Sequence, residues 1–257
     1  MLLFDIDSSK VRGLSEAQRL ALLHRRSAYV QEKRSFLEYF AAQRYFENTP
    51  LHSEGELRKH ARTFFQTEGN GEQVEAILKG IESPDPTINI VTQTIFSGVL
   101  VGVDYRNGDV LYDFPHRRFK EVLACNRLSN ESGVAKLIQS VTAPHLAELL
   151  IVYVEDTPYG SRVIEAVIMG LGSGESCLRM SVLLYECLLR IEDTDTRTKL
   201  AYSLFETIGA DSRGRRLVSR LLEFLPPTAD AIGSLSMNLD KAANSRNADL
   251  LSMEFLP

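Results

Sequence analysis

The fold is decided by four segments that can be laid under one another: Arg162-Val-Ile-Glu-Ala-Val-Ile-Met169, Arg179-Met-Ser-Val-Leu-Leu-Tyr-Glu186, Arg197-Thr-Lys-Leu-Ala-Tyr-Ser-Leu-Phe205 and Arg216-Leu-Val-Ser-Arg-Leu-Leu-Glu-Phe224. Their first arginines are spaced 17, 18 and 19 residues apart. Each step accommodates one helix and one turn, so two steps make a helical hairpin of about 35 residues, the kind of unit from which α-solenoids are built. The spacing therefore predicts an array of antiparallel helices, either solenoid-like or a helical bundle.

The helical pattern extends to both sides of these segments. Residues 181–189 are apolar nearly all round, which predicts that they form the central helix of the fold. Apolar periodicity between Pro, Gly and polar breaks predicts the remaining helices of this part of the chain. The predicted ranges are 116–127, 131–142, 144–155, 161–171, 175–191, 196–208, 213–225 and 228–243, with a weak last turn near 247–254.

The N-terminal part of the chain is also predicted to be helical. One stretch runs from Ser15 to about Asn48, with a bend or break at the polar residues 24–27. A second helix is predicted from His52 to Glu68, because Ser53 and Glu56 have the spacing of a capping box. A short third helix is predicted over residues 72–81.

A β-hairpin is predicted between the two helical parts. Residues 99–105 and 110–114 alternate apolar and other side chains on either side of Asn107-Gly108. Asn-Gly between such flanks favours a hairpin turn, because both turn residues must adopt positive φ. Residues 87–98 are β-branched, and their periodicity leaves strand and buried helix equally open.

The fold class predicted is therefore mainly α, with a small β-hairpin insertion near 99–114. Its parts are an N-terminal helical group (1–86), a hairpin-containing connector (87–114) and a C-terminal helical array (115–257), which are compatible with one continuous domain. The 257 residues are 44% hydrophobic and 25% charged, as expected of a globular chain.

The cellular setting is predicted from the absence of targeting signals and of cysteine motifs. The three cysteines, Cys125, Cys177 and Cys187, lack CxxC spacing and indicate free thiols of a reducing compartment. The N-terminus lacks the basic region of a signal peptide, and no apolar run approaches the roughly 20 residues needed to span a bilayer. A cytoplasmic protein without a membrane partner is expected.

No catalytic residue and no cofactor site are predicted. The loop Gly170-Leu-Gly-Ser-Gly-Glu-Ser176 has the setting of a phosphate-binding loop, but Glu175-Ser176 stands where a P-loop requires Lys and Ser or Thr. A plain interhelical turn is the favoured interpretation. An enzyme whose site is assembled only in three dimensions, of hydrolase type, remains an alternative. Its unranked candidates are His116, His145, Glu148, Glu165 and Ser173.

A metal site is also not predicted, although one spacing suggests it. His52, Glu56 and His60 are four residues apart, which brings them to one side of a helix. No HExxH pattern is present, and Arg58, Lys59 and Arg62 add positive charge nearby. A solvated helix face is the favoured interpretation.

Three basic clusters raise the alternative of an anionic-polymer or nucleic-acid binder. They are His24-Arg25-Arg26, His116-Arg117-Arg118 with Lys120, and Arg213-Gly-Arg215-Arg216. Nucleic-acid binders usually carry a basic excess, whereas this chain has a net charge of −5. Nucleic acid is therefore disfavoured.

The favoured function is a non-enzymatic protein–protein interaction module, such as an adaptor, chaperone-like factor, inhibitor or immunity-type binder. Residues 1–65 carry a net charge of +3, and aromatic residues on the first helical stretch point to more than one side of it. A partner with an acidic or apolar surface is expected there, and the oligomeric state is left open. The predicted partner-binding residues are Arg25, Arg26, Tyr29, Lys33, Phe36 and Tyr39.

Overall fold

The computed structural model of the chain describes residues 15–17, 29–47, 51–69, 73–83, 85, 87–140, 143–171, 175–208, 221 and 224. These residues are mostly helical with a small antiparallel sheet, so the predicted mainly-α fold with a β insertion is confirmed. The chain divides into two compact units, residues 1–128 and 129–257. The predicted part boundaries at 86/87 and 114/115 both fall inside the first unit.

The helices with described bounds in the first unit are α1 (Val30–Glu47), α2 (Glu54–Thr67), α3 (Val74–Ile81), α4 (Ile90–Phe96) and α5 (Arg117–Leu128). The residue before α1, Tyr29, has φ of 58°, a left-handed conformation that a right-handed helix cannot continue through. Helix α1 therefore begins at Val30. The break predicted at residues 24–27 lies outside the described residues.

The capping box predicted for α2 is present. The Ser53 amide donates to Glu56 Oε2 at 2.7 Å, and the Glu56 amide donates to Ser53 Oγ at 3.4 Å. This reciprocal pair satisfies two amides of the first turn, which fixes the helix start at Glu54. The predicted start at His52 is wrong by two residues, because His52 and Ser53 are in extended backbone.

Residues 87–98 contain helix α4, which resolves the choice that periodicity leaves open. The buried Asn89 side chain accepts hydrogen bonds from the amides of Val91 and Thr92 at 3.0 and 3.2 Å. Its Nδ2 donates to the carbonyls of Ile81 and Ser83 at 3.0 and 3.1 Å. One side chain thus caps α4 and ties it to the end of α3, and this tertiary arrangement overrides the β-branched composition.

The sheet has three antiparallel strands in the order β1-β3-β2: β1 (His52–Ser53), β2 (Val101–Arg106) and β3 (Asp109–Asp113). Asn107 and Gly108 have φ of 53° and 93°, as the Asn-Gly turn requires. The predicted hairpin is confirmed. Strand β1 was not predicted, because two residues are too few to show alternation.

Aromatic side chains form the centre of the first unit. Helix α1 packs along α5 and against α2, so two of its sides are covered. The ring of Phe36 lies 6.0 to 6.3 Å from those of Phe40, Phe64 and Phe65, measured between centroids. Phe114, just after β3, lies 5.9 Å from Phe40 and joins the sheet to this core.

The second unit contains α6 (Glu131–Ser140), a 3-10 turn (Pro144–Leu146), α7 (Ala147–Asp156), α8 (Gly160–Met169), α9 (Glu175–Leu188) and α10 (Thr194–Ile208). Next-but-one helices pack together: α6 with α8, α7 with α9, and α8 with α10. The helices predicted between 131 and 208 are present, with ends that differ by a few residues. Those predicted over 228–243 and 247–254, and most of 213–225, lie outside the described residues.

Among the described helices of this unit, the central position does not belong to residues 181–189. Val182 and Leu189 are 53% and 45% exposed, so this part of α9 is not buried on every side. Helix α8 instead packs against α6, α7, α9 and α10. Among the described helices, none combines the length and the apolar character that crossing a membrane requires.

Candidate functional site

The β-hairpin carries an exposed apolar surface. Tyr105 on β2 is 68% exposed, and Val110, its direct cross-strand partner on β3, is 41% exposed. Tyr112 lies on the same face two residues further along β3. Gly102 opposite Tyr112 leaves room for these side chains, because a Cβ on it would lie 2.8 Å from Val110 Cγ1.

Strand β2 is also the edge of the described sheet. It pairs with β3 on one side, and β3 in turn pairs with β1. The ladder is irregular between Gly102 and Asp104, where Val103 is 51% exposed. Asp104 and Arg106 form an ion pair at 2.8 Å on this strand. Charges and bulges are two devices that limit uncontrolled pairing at a sheet edge.

The six residues predicted to bind a partner do not form one exposed strip. Arg25 and Arg26 lie outside the described residues. Phe36 and Lys33 are 0% and 2% exposed, so a partner cannot reach their side chains directly in this unit. Tyr29 and Tyr39 are half-buried, and the Tyr39 ring lies 5.0 Å from that of Phe64. The aromatic residues of α1 belong to the core because α2 and α5 cover two of its sides.

A histidine pair lies beside this core. His52 on β1 is 3% exposed, and His60 on α2 is half-buried. Their ring centroids are 5.0 Å apart with an angle of 75° between the planes. Phe40 packs against both rings, at 5.1 Å from His52 and 5.5 Å from His60.

Glu47, at the end of α1, completes a three-residue cluster with these histidines. One ligand atom from each of Glu47, His52 and His60 lies within 4.8 Å of the others. We call these residues the His–Glu cluster. Glu56, which the sequence spacing grouped with the histidines, is engaged in the capping box instead. The solvated helix face favoured from the sequence is wrong for His52, which is buried and lies on a strand.

Burial determines the protonation of the two rings. It lowers the pKa of His52 to about 4, and the neighbouring His60 and Arg44 act in the same direction. Burial also lowers the pKa of His60, against the opposing influence of Glu47 and Glu56. Both imidazoles are therefore neutral near pH 7. Among the described residues, the buried Nδ1 of His52 has no hydrogen-bond partner.

The first unit should lose stability in acid because of His52. Below the ordinary histidine pKa of 6.5 the unfolded chain binds a proton, whereas folded His52 stays neutral until about pH 4. The stabilisation is complete above pH 6.5 and is lost as the pH falls to about 4. The expected loss in the free energy of unfolding is on the order of 2–3 kcal/mol.

Urea unfolding of the full chain between pH 4 and 7.5, with a chelator present, measures this effect. The His52→Phe variant keeps a ring in the core but removes the titrating group, so its stability should depend less steeply on pH in this window. Parallel curves for the two proteins would rule out His52 as the cause.

The other candidates from the sequence are divided between the two units. His116 is exposed in the first unit, whereas His145 and Glu148 are exposed in the second. Glu165 accepts a hydrogen bond from Lys199 Nζ at 3.3 Å. Ser173 and the middle of the loop 170–176 lie outside the described residues.

One of the three basic clusters lies in the described residues, and two of its charged side chains contact neighbouring side chains. Arg117 pairs with Glu121 at 2.9 Å. Lys120 lies over the ring of Tyr45, 5.3 Å from its centroid. The clusters at residues 24–26 and 213–216 lie outside the described residues. The described part of the chain therefore adds no support for an anionic-polymer surface.

Comparison of the chain with protein-family models, with curated proteins and with solved structures found no match. Its function has to be inferred from its own residues.

Proposed function

We propose that this protein is a non-enzymatic protein–protein interaction module, of the adaptor, chaperone-like, inhibitor or immunity-type class, and that the hairpin of β2 and β3 is its contact surface. The observation that carries the proposal is the exposed apolar pair of Tyr105, on the edge strand β2, and Val110, directly opposite it on β3. This surface replaces the first helical stretch as the main candidate, because Phe36 and Lys33 on α1 are buried.

The residue types of the hairpin suit a binding surface. Tyrosine is enriched among the residues that dominate binding energy, since its ring buries much apolar area and its hydroxyl can still reach a polar partner. Tyr105 leaves about two thirds of its surface in water, and a partner that covered it would remove this apolar area from solvent. Val110 directly opposite makes the patch continuous across two strands.

The open edge of β2 indicates a partner that binds as an extended segment. An extended segment can add to an open sheet edge through main-chain hydrogen bonds, and alternate side chains then supply specificity. A segment with apolar side chains at every second position would place them beside Tyr105, on the face that Tyr105 shares with Val110. Of the acidic and apolar partners expected from the sequence, the hairpin favours the apolar one.

Affinity purification of the full chain from its native host, followed by quantitative mass spectrometry, tests the proposal. The double variant Tyr105→Ser, Val110→Ser should lose at least about nine tenths of a stoichiometric partner, since hot-spot residues typically contribute 2 kcal/mol or more. The matched control is Val182→Ser, which changes an exposed valine on α9. Equal recovery of the partner with the wild type and the double variant would contradict the proposal.

A second variant separates the hairpin from the helical surface predicted by the sequence. In Arg25→Glu, Arg26→Glu the charge of the basic residues before α1 is reversed while the hairpin is untouched. Loss of the partner in this variant alone would show that the partner binds the N-terminal stretch and not the hairpin. Retention here together with loss in the hairpin variant would support the hairpin.

A further inference from the structure

We propose that the His–Glu cluster of Glu47, His52 and His60 is a binding site for a divalent transition metal ion of the zinc class. The inference does not depend on the proposed interaction function. It rests on the convergence of three ligand-bearing side chains from three elements: the end of α1, strand β1 and helix α2.

The ligand set suits zinc. Imidazole nitrogen and carboxylate oxygen are common ligands of Zn²⁺, whereas Ca²⁺ and Mg²⁺ prefer oxygen ligands alone. In a tetrahedral site with Zn–N bonds of about 2.0–2.1 Å, ligand atoms lie roughly 3.3 Å apart. The three ligand atoms here are within 4.8 Å of one another, so they have to approach by at most about 1.5 Å to form such a site.

The buried His52 ring supplies a second and independent observation. Its Nδ1 is buried, and no group in the described part of the chain forms a hydrogen bond with it. An unsatisfied buried polar atom is destabilising by about 1–3 kcal/mol, so such an atom calls for a functional explanation. A metal ion at this position would accept the lone pair of the neutral ring.

The surroundings hold the two rings in place. Phe40 packs edge-on against both histidines, which limits their rotation. Between them in sequence, the capping box of Ser53 and Glu56 fixes the turn from β1 into α2. In metal sites, the groups around the ligands orient the ligand side chains in this way.

Two of the three positive charges that weigh against a cation site in the sequence are compensated in the structure, whereas the charge of Lys59 still acts on His60. Arg58 pairs with Glu54 at 2.6 Å, and Arg62 pairs with Glu82. Arg44, whose charge helps to lower the pKa of His52, pairs with Asp113. The negative charge of Glu47 acts on His60 in the opposite direction to Lys59.

Three protein ligands leave a fourth position of a tetrahedral ion open. Structural zinc sites usually have four protein ligands, whereas sites with three hold a water molecule or another ligand as well. Glu47 is exposed, so the cluster reaches the surface at this residue. An ion bound here would be exchangeable and accessible to an external ligand.

Titration calorimetry of the chelator-treated full chain with Zn²⁺ tests the site. One equivalent should bind, and either Glu47→Gln or His60→Ala should weaken the affinity at least tenfold, the minimum effect typical of altered metal sites. The matched control is His145→Ala, which removes an exposed histidine of the second unit and should leave binding unchanged. Circular dichroism verifies that each variant is folded.

Two further readouts distinguish this site from adventitious binding. Zn²⁺ should raise the melting temperature of the wild-type protein but not of Glu47→Gln, because an ion that binds only the folded state stabilises it. Co²⁺ should give the visible absorption of a four-coordinate ion with histidine nitrogen ligands, which His60→Ala reduces. Absence of Zn²⁺ binding, or equal affinity in Glu47→Gln, His60→Ala and the wild type, would overturn the proposal.

Discussion

Replacing Phe40 by alanine is expected to destabilise the first unit by roughly 3–5 kcal/mol, the range for truncating a buried phenylalanine. The Phe40 side chain is 0% exposed. Its ring contacts four others, and no small movement can refill the space, because these neighbours belong to α1, β1, α2 and the segment after β3. The neighbouring rings are those of Phe36, His52, His60 and Phe114.

Hydrogen–deuterium exchange of peptides from α1 and α2 in the full chain measures this loss, since exchange from buried helices reports the free energy of opening. Tyr105→Ala is the control for removing an aromatic ring at an exposed position, and protection of α1 should hardly change. Phe40→Leu should cost less than half as much as Phe40→Ala, because most of the apolar volume remains. Similar protection in Phe40→Ala and the wild type would show that Phe40 is not a core residue.

The second large effect is expected from Asp113→Ala. The Arg44 side chain is 4% exposed, and Asp113, 24% exposed, is its ion-pair partner from β3. Burial lowers the pKa of Arg44, and the Asp113 carboxylate opposes that change. Removing one partner of a buried ion pair is strongly destabilising because the remaining charge loses its compensation. We expect the first unit to lose roughly 2–4 kcal/mol, reduced from the fully buried case by the partial exposure of Asp113.

Asp113→Asn separates the charge from the hydrogen bonds. Asp113 Oδ1 accepts hydrogen bonds from Arg44 and, at 2.6 Å, from the backbone N–H of Phe114. The amide oxygen of asparagine can still accept both. The expected loss is about half of that in Asp113→Ala, measured by urea unfolding. The exposed ion pair of Lys79 and Glu75 supplies the comparison, since Glu75→Ala should hardly change the stability. A cost for Asp113→Ala as small as that for Glu75→Ala would contradict the role of the buried pair.

Local features of the fold could be predicted because neighbours in sequence enforce them. Asn107-Gly108 requires positive φ whatever lies around it, and the hairpin followed. Ser53 and Glu56 satisfy each other's backbone at a fixed spacing, so the start of α2 was predictable to within two residues. The helices of the second unit followed from apolar periodicity in the same way.

Predictions that required knowledge of the neighbours failed or stayed open. Residues 87–98 contain a helix because the Asn89 side chain forms hydrogen bonds with the end of α3. Residues 181–189 were apolar enough for a central helix, yet α8 has more neighbours, and part of α9 faces solvent. Phe36 was predicted at a partner surface, but α2 supplies Phe64 and Phe65, which cover it.

The His–Glu cluster shows the same division. The sequence shows His52 and His60 on either side of the capping box, eight positions apart. It could not supply Glu47, whose carboxylate reaches the histidines only because α1 packs against α2. It also gave no sign that His52 would be buried, since a two-residue strand has no pattern of its own.

The sequence by itself determined the helical class, the hairpin turn and the caps, because each depends on bonds and conformations within a few residues. Only the tertiary structure decided which side of each helix is buried, which third side chain joins the histidine pair, and that the apolar pair on the hairpin stays in water. These properties depend on packing between elements distant in the chain, and burial rather than local spacing sets the charge and accessibility of a side chain.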